Sequence, residues 1–164
     1  MNPETSVLFD VYALGQAVGR LMNLAMAGAP LSAREYALYS AIFELEAATP
    51  SELAARLGMP LTTLMDQLAE LERRGHARRV PNPRDGRSYR LVLGAEGLAA
   101  HRAANRSFEA AYAELVRRLP AGEAGAKAAL GEVRAAVEGA AKAFERGAFE
   151  PRRVSPRPTG GRVG

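Results

Sequence analysis

The stretch from Ala77 to Gly94, ARRVPNPRDGRSYRLVLG, decides how the rest of the chain is read. Two short β-prone runs, one ending at Val80 and one beginning at Ser88, flank Pro-Asn-Pro-Arg-Asp-Gly. That is turn chemistry: proline presets φ, Asn and Asp bond to the backbone two residues on, and glycine accepts either sign of φ. Tyr89, Leu91 and Leu93 alternate with Arg90 and Val92, as a strand with one covered face requires. The spacing predicts a hairpin, and its tip is crowded with like charge. From Arg73 to Arg90 there are seven arginines against one acid, Asp85, in a chain whose formal net charge is only +4. Such self-repulsion is unfavourable unless a polyanion relieves it.

Upstream of the hairpin, TPSELAARLG places Thr49 as a helix N-cap, Pro50 at the first helical position and Glu52 three residues after the cap. A short helix ending at Gly58 follows from it. LTTLMDQLAELERRG then stacks Leu64, Leu68 and Leu71 on one face and sends Thr62, Asp66, Ala69 and Arg73 to the other, with Gly75 as the stop. Two helices joined through Gly58-Met59-Pro60 make a helix-turn-helix, an arrangement also common in proteins that never meet DNA. The basic hairpin directly behind it supplies the discrimination. Helix-turn-helix followed by hairpin is the winged-helix plan, in which one helix enters the major groove and the wing's cations reach the backbone or the adjacent minor groove. Counterions released from the phosphates would then drive binding.

Further out, Ser32 and Glu35 stand in capping-box spacing between Leu31 and Tyr36, placed as a hydrophobic staple, and a helix over about 33–47 is expected. Val7, Val11, Leu14, Val18, Leu21 and Ala25 recur at threes and fours, so 6–27 reads as an amphipathic helix ended by Gly-Ala-Pro. Leu98, Asn105, Phe108, Tyr112 and Leu115 mark another helix over 95–119, broken by Pro120, and Ala126, Leu130, Val133, Val137 and Phe144 mark a last one. These flanking helices hold more apolar surface than a winged helix of about 60 residues can cover, and burial between two copies is the economical explanation. The fold class expected is mainly α with a small β-hairpin wing: a winged helix-turn-helix with flanking dimerisation helices. The organisation is one domain over 1–149, with 31–94 the DNA-binding part and 6–27 and 95–146 the dimerisation helices. Residues 150–164 read as a disordered basic tail, serving either nonspecific DNA binding or solubility alone.

Composition narrows the classes further. The chain has 164 residues and no cysteine, which excludes disulfides, thiol catalysis and cysteine-ligated zinc. Two histidines, His76 and His101, leave no material for a multi-histidine metal site, and both read as structural or solvent-facing. Without a glycine-rich phosphate loop or metal spacing, no enzyme reading and no cofactor is supported. The longest apolar or small stretch, Leu24 to Leu31, falls far short of the roughly 18 residues of a membrane span, and the acidic MNPETSVLFD reads against secretion, so a cytoplasmic protein is expected.

From Leu31 to Leu98 the sequence resembles the MarR family of dimeric winged-helix transcription regulators. The resemblance is carried by ELAARLGMPLTTLMDQLAELERRG, RRVPNPRDGRSYRLVL and the following GAEG, in that order. It implies a homodimer on a pseudo-palindromic operator in double-stranded DNA, a repressor whose affinity is often weakened by a small anionic or phenolic effector. The family's wing usually reads D-x-R, which Asp85 and Arg87 match, and the acid is implied to help fix the arginine that enters the minor groove. Five positions depart from the pattern. Gly86 stands where a second arginine is common, Pro60 replaces a common serine, and Met65 and Asp66 occupy recognition-helix positions that are often basic or hydroxylic. Gly94 also replaces a capping threonine.

The candidate residues follow. Thr62, Thr63, Asp66 and Gln67 are placed to face base edges, although the same face reads as merely solvated. Arg84, Asp85 and Arg87 form the wing tip. Arg73, Arg74, Arg78, Arg79 and Arg90 are divided between phosphate contacts and pairing with Glu70, Glu72 or nearby acids. An effector crevice is expected from Tyr12, Arg20, Met22, Met26, Tyr36 and Tyr39, residues that serve equally as core or interface. A rival reading keeps the winged helix but gives its basic face an acidic protein partner in place of DNA, with Asp66 as the feature in its favour.

Overall fold

The structure is a computed structural model and describes residues 6–147. Its element order is α1 (Val7–Ala25), α2 (Ala33–Glu44), α3 (Pro50–Leu57), α4 (Leu61–Arg73), β1 (Ala77–Pro81), β2 (Tyr89–Leu93), α5 (Ala95–Arg118) and α6 (Gly122–Glu145). Two compact units divide it, the first reaching Leu115 and the second starting at Val116. The basic tail expected over 150–164 lies outside the described residues.

Local capping sets the helix starts. Ser32 Oγ accepts the Glu35 N–H at 3.3 Å while Glu35 returns a carboxylate oxygen to the Ser32 N–H at 2.8 Å. Thr49 and Glu52 repeat the exchange at 3.3 and 2.8 Å. Each cap satisfies helix-end N–H groups that otherwise lack partners, and losing such a side chain costs about 1 kcal/mol. Leu31 and Tyr36, the staple pair, are both buried. Ser6 caps α1 in a simpler way, accepting the Phe9 N–H.

α2 stops at Glu44, short of the expected residue 47. The cause is a pairing distant in sequence: Leu91 N–H donates to the Ala48 carbonyl at 2.8 Å and Ala48 N–H to the Leu91 carbonyl at 3.3 Å, an antiparallel bridge. The chain must leave the helix in time to lay Ala48 beside the wing, and Glu46 turns it with φ 58°, a left-handed conformation uncommon outside glycine. α3 ends on Gly58 at φ 64°, where a side chain would be strained. α4 is then entered through Pro60, which offers no side-chain cap.

The wing is a two-stranded antiparallel sheet in which Ala77 pairs with Leu93 and Arg79 with Leu91. Leu91 turns inward to meet Leu38, Ile42, Leu53, Leu64, Leu68 and Leu71 in one core. Burying a leucine side chain fully contributes about 1.5–3 kcal/mol, so this cluster is what holds the helix-turn-helix to the wing. The GAEG segment has a steric role at the same junction. A Cβ on Gly97 would sit 2.0 Å from the His76 carbonyl oxygen, and one on Gly94 would sit 3.0 Å from that of Gly75. Gly94 N–H donates to the His76 carbonyl, and the Gly94 carbonyl receives Leu98 N–H to begin α5. Close approach of two backbones therefore explains why the capping position holds glycine.

α1 buries none of its residues. Val7, Leu8, Phe9, Tyr12, Leu14, Val18 and Leu24 are exposed along it. Taken by itself, α6 also buries none, and Leu130, Val137 and Phe144 are exposed. No helix among the described residues is long and apolar enough to cross a membrane.

Candidate nucleic-acid interface

The leucine stripe of α4 faces the core, which leaves Thr62, Thr63, Asp66 and Ala69 exposed on the opposite side. Gln67, expected at a base edge, is half-buried, and its amide turns back to the Thr63 carbonyl at 3.4 Å and to Met59 Sδ at 3.8 Å. Met65, the departure from the resembled pattern, packs beneath the wing with the Tyr89 hydroxyl 3.9 Å from its sulfur. A thioether there joins α4 to β2. The exposed polar set of the helix's first turns is two hydroxyls and one carboxylate.

The wing tip is organised by Asn82, which is buried. Its Nδ2 donates to Ser88 Oγ at 2.7 Å, and its Oδ1 accepts from the Arg84 backbone N–H and from Arg90 Nε, both at 3.1 Å. Asp85 Oδ1 accepts the backbone N–H of Arg87 at 3.0 Å, and Ser88 N–H closes the turn on the Asp85 carbonyl at 3.0 Å. Asp85 therefore holds the arginine through its main chain, whereas the family pattern implied only that the acid helps fix it. The Arg84 and Arg87 side chains are exposed, with no hydrogen-bond or ion-pair partner among the described residues.

The remaining arginines separate into two groups. Arg73 makes a fork to Glu70 at 2.6 and 2.7 Å. Arg74 bridges Glu70 at 2.7 Å and Glu35 at 2.6 Å. Arg79 makes a fork to Glu72 at 2.6 and 2.9 Å and lies 4.3 Å over the Tyr89 ring. Hydrogen bonds from Arg73 and Arg74 hold the Glu70 carboxyl down at about 2. The same bonds raise both guanidinium groups above their ordinary value. Three of the five expected phosphate contacts are thus offset by three glutamates. Exposed pairs of this kind contribute about 0–1 kcal/mol each, so their main consequence is where charge remains. Among the described residues, the arginines of this stretch left without an acid partner are Arg78 on β1, Arg84 and Arg87 at the tip, and Arg90, which is bonded to the neutral Asn82. The field of Arg90 and Arg84 also reaches Glu52, whose carboxyl is held low chiefly by the Thr49 backbone N–H.

Both histidines are packed against tyrosines of α2. His76 Nδ1 lies 2.7 Å from the Tyr39 hydroxyl, pinning α2 to the start of the wing. His101 is buried, 3.1 Å from Ser40 Oγ through Nε2, and stacks on Tyr36 with centroids 5.5 Å apart. Burial lowers its pKa below the ordinary imidazole value. Its Nδ1 has no hydrogen-bond partner among the described residues.

A cavity of about 460 Å³ opens between α2 and α5, with Tyr36, Ser40, Phe43, His101, Asn105 and Phe108 in its wall. A second, of about 270 Å³, shares Tyr36, Ser40 and Phe108 and adds Met22. The expected crevice is therefore only partly assembled: Tyr36 and Met22 line cavities, Met26 and Tyr39 are core, and Tyr12 and Arg20 stand exposed on α1. His101 and Asn105 were missed as lining residues. Polar groups four apart on the apolar face of α5 were the available signal.

A helix-turn-helix whose second helix lies against a cation-tipped hairpin defines the winged helix-turn-helix class. Residues 40–88 match the MarR family profile. The fold is shared along most of the chain with MarR of E. coli complexed with operator DNA, at 24% identity, TM-score 0.69, and coverage of 80% of this chain and 96% of that one. It is shared equally with the M. tuberculosis regulator MOSR in complex with DNA, at 24% identity and TM-score 0.69, covering 82% and 98%. PcaV of Streptomyces coelicolor, in complex with its natural ligand, matches at 25% identity and TM-score 0.66, covering 86% and 97%. Among curated proteins, the HTH-type transcriptional regulator TtmR of Methylorubrum extorquens is 30% identical over 94 residues, which are 57% of this chain and 48% of that protein. The chain thus spans about half the length of that relative. The sequence similarity to the MarR family is carried by residues 40–88 of the winged-helix segment.

Proposed function

We propose that the chain is a sequence-specific transcriptional regulator that binds double-stranded DNA as a homodimer on a pseudo-palindromic operator and represses. The observation that carries this reading is the selective pairing of arginines. Acids offset Arg73, Arg74 and Arg79, while Arg84 and Arg87 stand bare on a hairpin whose backbone is held by Asn82 and Asp85. A rigid turn presenting unpaired guanidinium groups fits a phosphate-lined groove, because no ordering of the loop is left for the moment of binding. Arg78 and Arg90 supply further phosphate contacts, and Thr62, Thr63 and Asp66 face the bases. The E. coli neighbour complexed with operator DNA and the M. tuberculosis neighbour in complex with DNA support the reading.

The α2–α5 cavity is the proposed place of a small phenolic or anionic effector, with aromatic walls from Tyr36, Phe43 and Phe108 and cations from Arg102 and Arg106 at its edge. The similar fold of PcaV, which holds its natural ligand, supports that assignment. A second copy covers the apolar faces of α1 and α6, which a lone chain leaves in water. A mobility-shift assay on the DNA upstream of the chain's own gene, followed by footprinting, tests the proposal. Protection of one discrete site supports it. Absence of any shift, together with capture of an acidic protein by the same wing, would favour the interaction-module reading.

A further inference from the structure

Asp66 is anomalous among the acids around α4. Glu35, Glu70 and Glu72 are each engaged by an arginine, yet Asp66 is exposed and has no hydrogen bond or ion pair among the described residues. Facing phosphates, an unpaired carboxylate weakens attraction to every duplex alike. It adds discrimination only if one base supplies a donor in return.

We infer that Asp66 makes the chain select a cytosine in each half-site, its carboxylate accepting an N4 amino hydrogen in the major groove. This rests on the DNA-binding reading above and names what the recognition helix reads. An ionised carboxylate only accepts. Guanine presents O6 and N7, and thymine presents O4, so both set a lone pair against it. Adenine offers N6–H, but its own N7 acceptor lies beside that donor. Cytosine offers N4–H with no acceptor next to it on the same base. Neighbouring side chains sharpen the choice. Gln67, the natural reader of adenine, has its amide turned to Thr63 and Met59, and Arg73, the natural reader of guanine, is held by Glu70. Thr62 and Thr63 remain beside Asp66 with hydroxyl and methyl groups that tolerate more than one base.

Enrichment of bound duplexes from a randomised pool, run in parallel with the full wild-type chain, Asp66→Asn and Asp66→Ala, tests the inference. The wild type is expected to enrich a motif with one fixed cytosine per half-site, and replacing that cytosine is expected to weaken binding about ten- to a hundredfold. Asp66→Asn is expected to move the preference at that position to adenine, whose N6 and N7 an amide meets together. Asp66→Ala is expected to flatten that position alone and to bind unrelated duplex more tightly. Enrichment of the same base by all three proteins overturns the assignment of Asp66. A wild-type pool that enriches no sequence overturns the DNA-reading function itself.

Discussion

Arg87 and Arg73 carry the same charge in different settings, and the difference is measurable. Arg87 is bare, so each phosphate it meets releases a counterion; Arg73 is already matched by Glu70. Arg87→Ala is expected to flatten the log affinity against log salt plot by about one unit, with weakening spread evenly over sequences. Arg73→Ala is expected to change that slope by less. Equal slopes for the wild type and Arg87→Ala in a fluorescence-anisotropy titration would remove Arg87 from the interface. Gly97 makes a second case. Glycine to alanine inside a helix ordinarily stabilises by about 1 kcal/mol, but here the added carbon meets the His76 carbonyl at 2.0 Å. Overpacking costs about 1–3 kcal/mol, so the clash outweighs the propensity, and Gly97→Ala is expected to lower the thermal midpoint. A raised midpoint would show that the junction gives way.

Single elements show which relations a sequence can carry. Caps at Ser32 and Thr49 bind three residues ahead, so their spelling is local and both helix starts were legible. The end of α2 was not, because it is imposed by Leu91, far along the chain, acting on Ala48. The same contrast holds within the site. That some of the five arginines pair with Glu70, Glu72 or nearby acids was anticipated from neighbouring positions, whereas which ones do so was not, and the Arg74 bridge to Glu35 needs two helices already packed. The inward turn of Gln67 depends on Met59 across the α3–α4 turn, and the cavity depends on α5 lying beside α2. α4's C-terminal end also has a definite pH behaviour. Glu70 has a folded-state pKa of about 2, depressed below the ordinary 4.5, so its contribution is present above the ordinary value and is lost as pH falls toward 2. Melting midpoints are expected to drop over that window, with solvent screening keeping the effect small. Glu70→Gln should shallow the drop, and an unchanged profile would show that the Arg73–Glu70–Arg74 cluster is not populated in solution.

At the scale of the whole molecule, the proposed homodimer would bury the exposed faces of α1 and α6 and duplicate the cationic wing. Phe9, Leu14, Val18 and Leu130 are each about half exposed, an arrangement that favours association over a stable monomer. Charge substitution on α1, as in Leu14→Glu, is expected to split the dimer and with it most of the DNA affinity, since a single wing and helix engage only one half-site. Sedimentation velocity checks the first effect, and anisotropy the second. A dimer that persists unchanged would place the interface elsewhere.

Most direct is the stoichiometry of the purified chain on its footprinted duplex in dilute buffer, measured by sedimentation equilibrium with hydroxyl-radical protection. The account predicts two copies per duplex, protecting two half-sites about one helical turn, 34–36 Å, apart. A monomer in solution that leaves every duplex unprotected at low salt would contradict it.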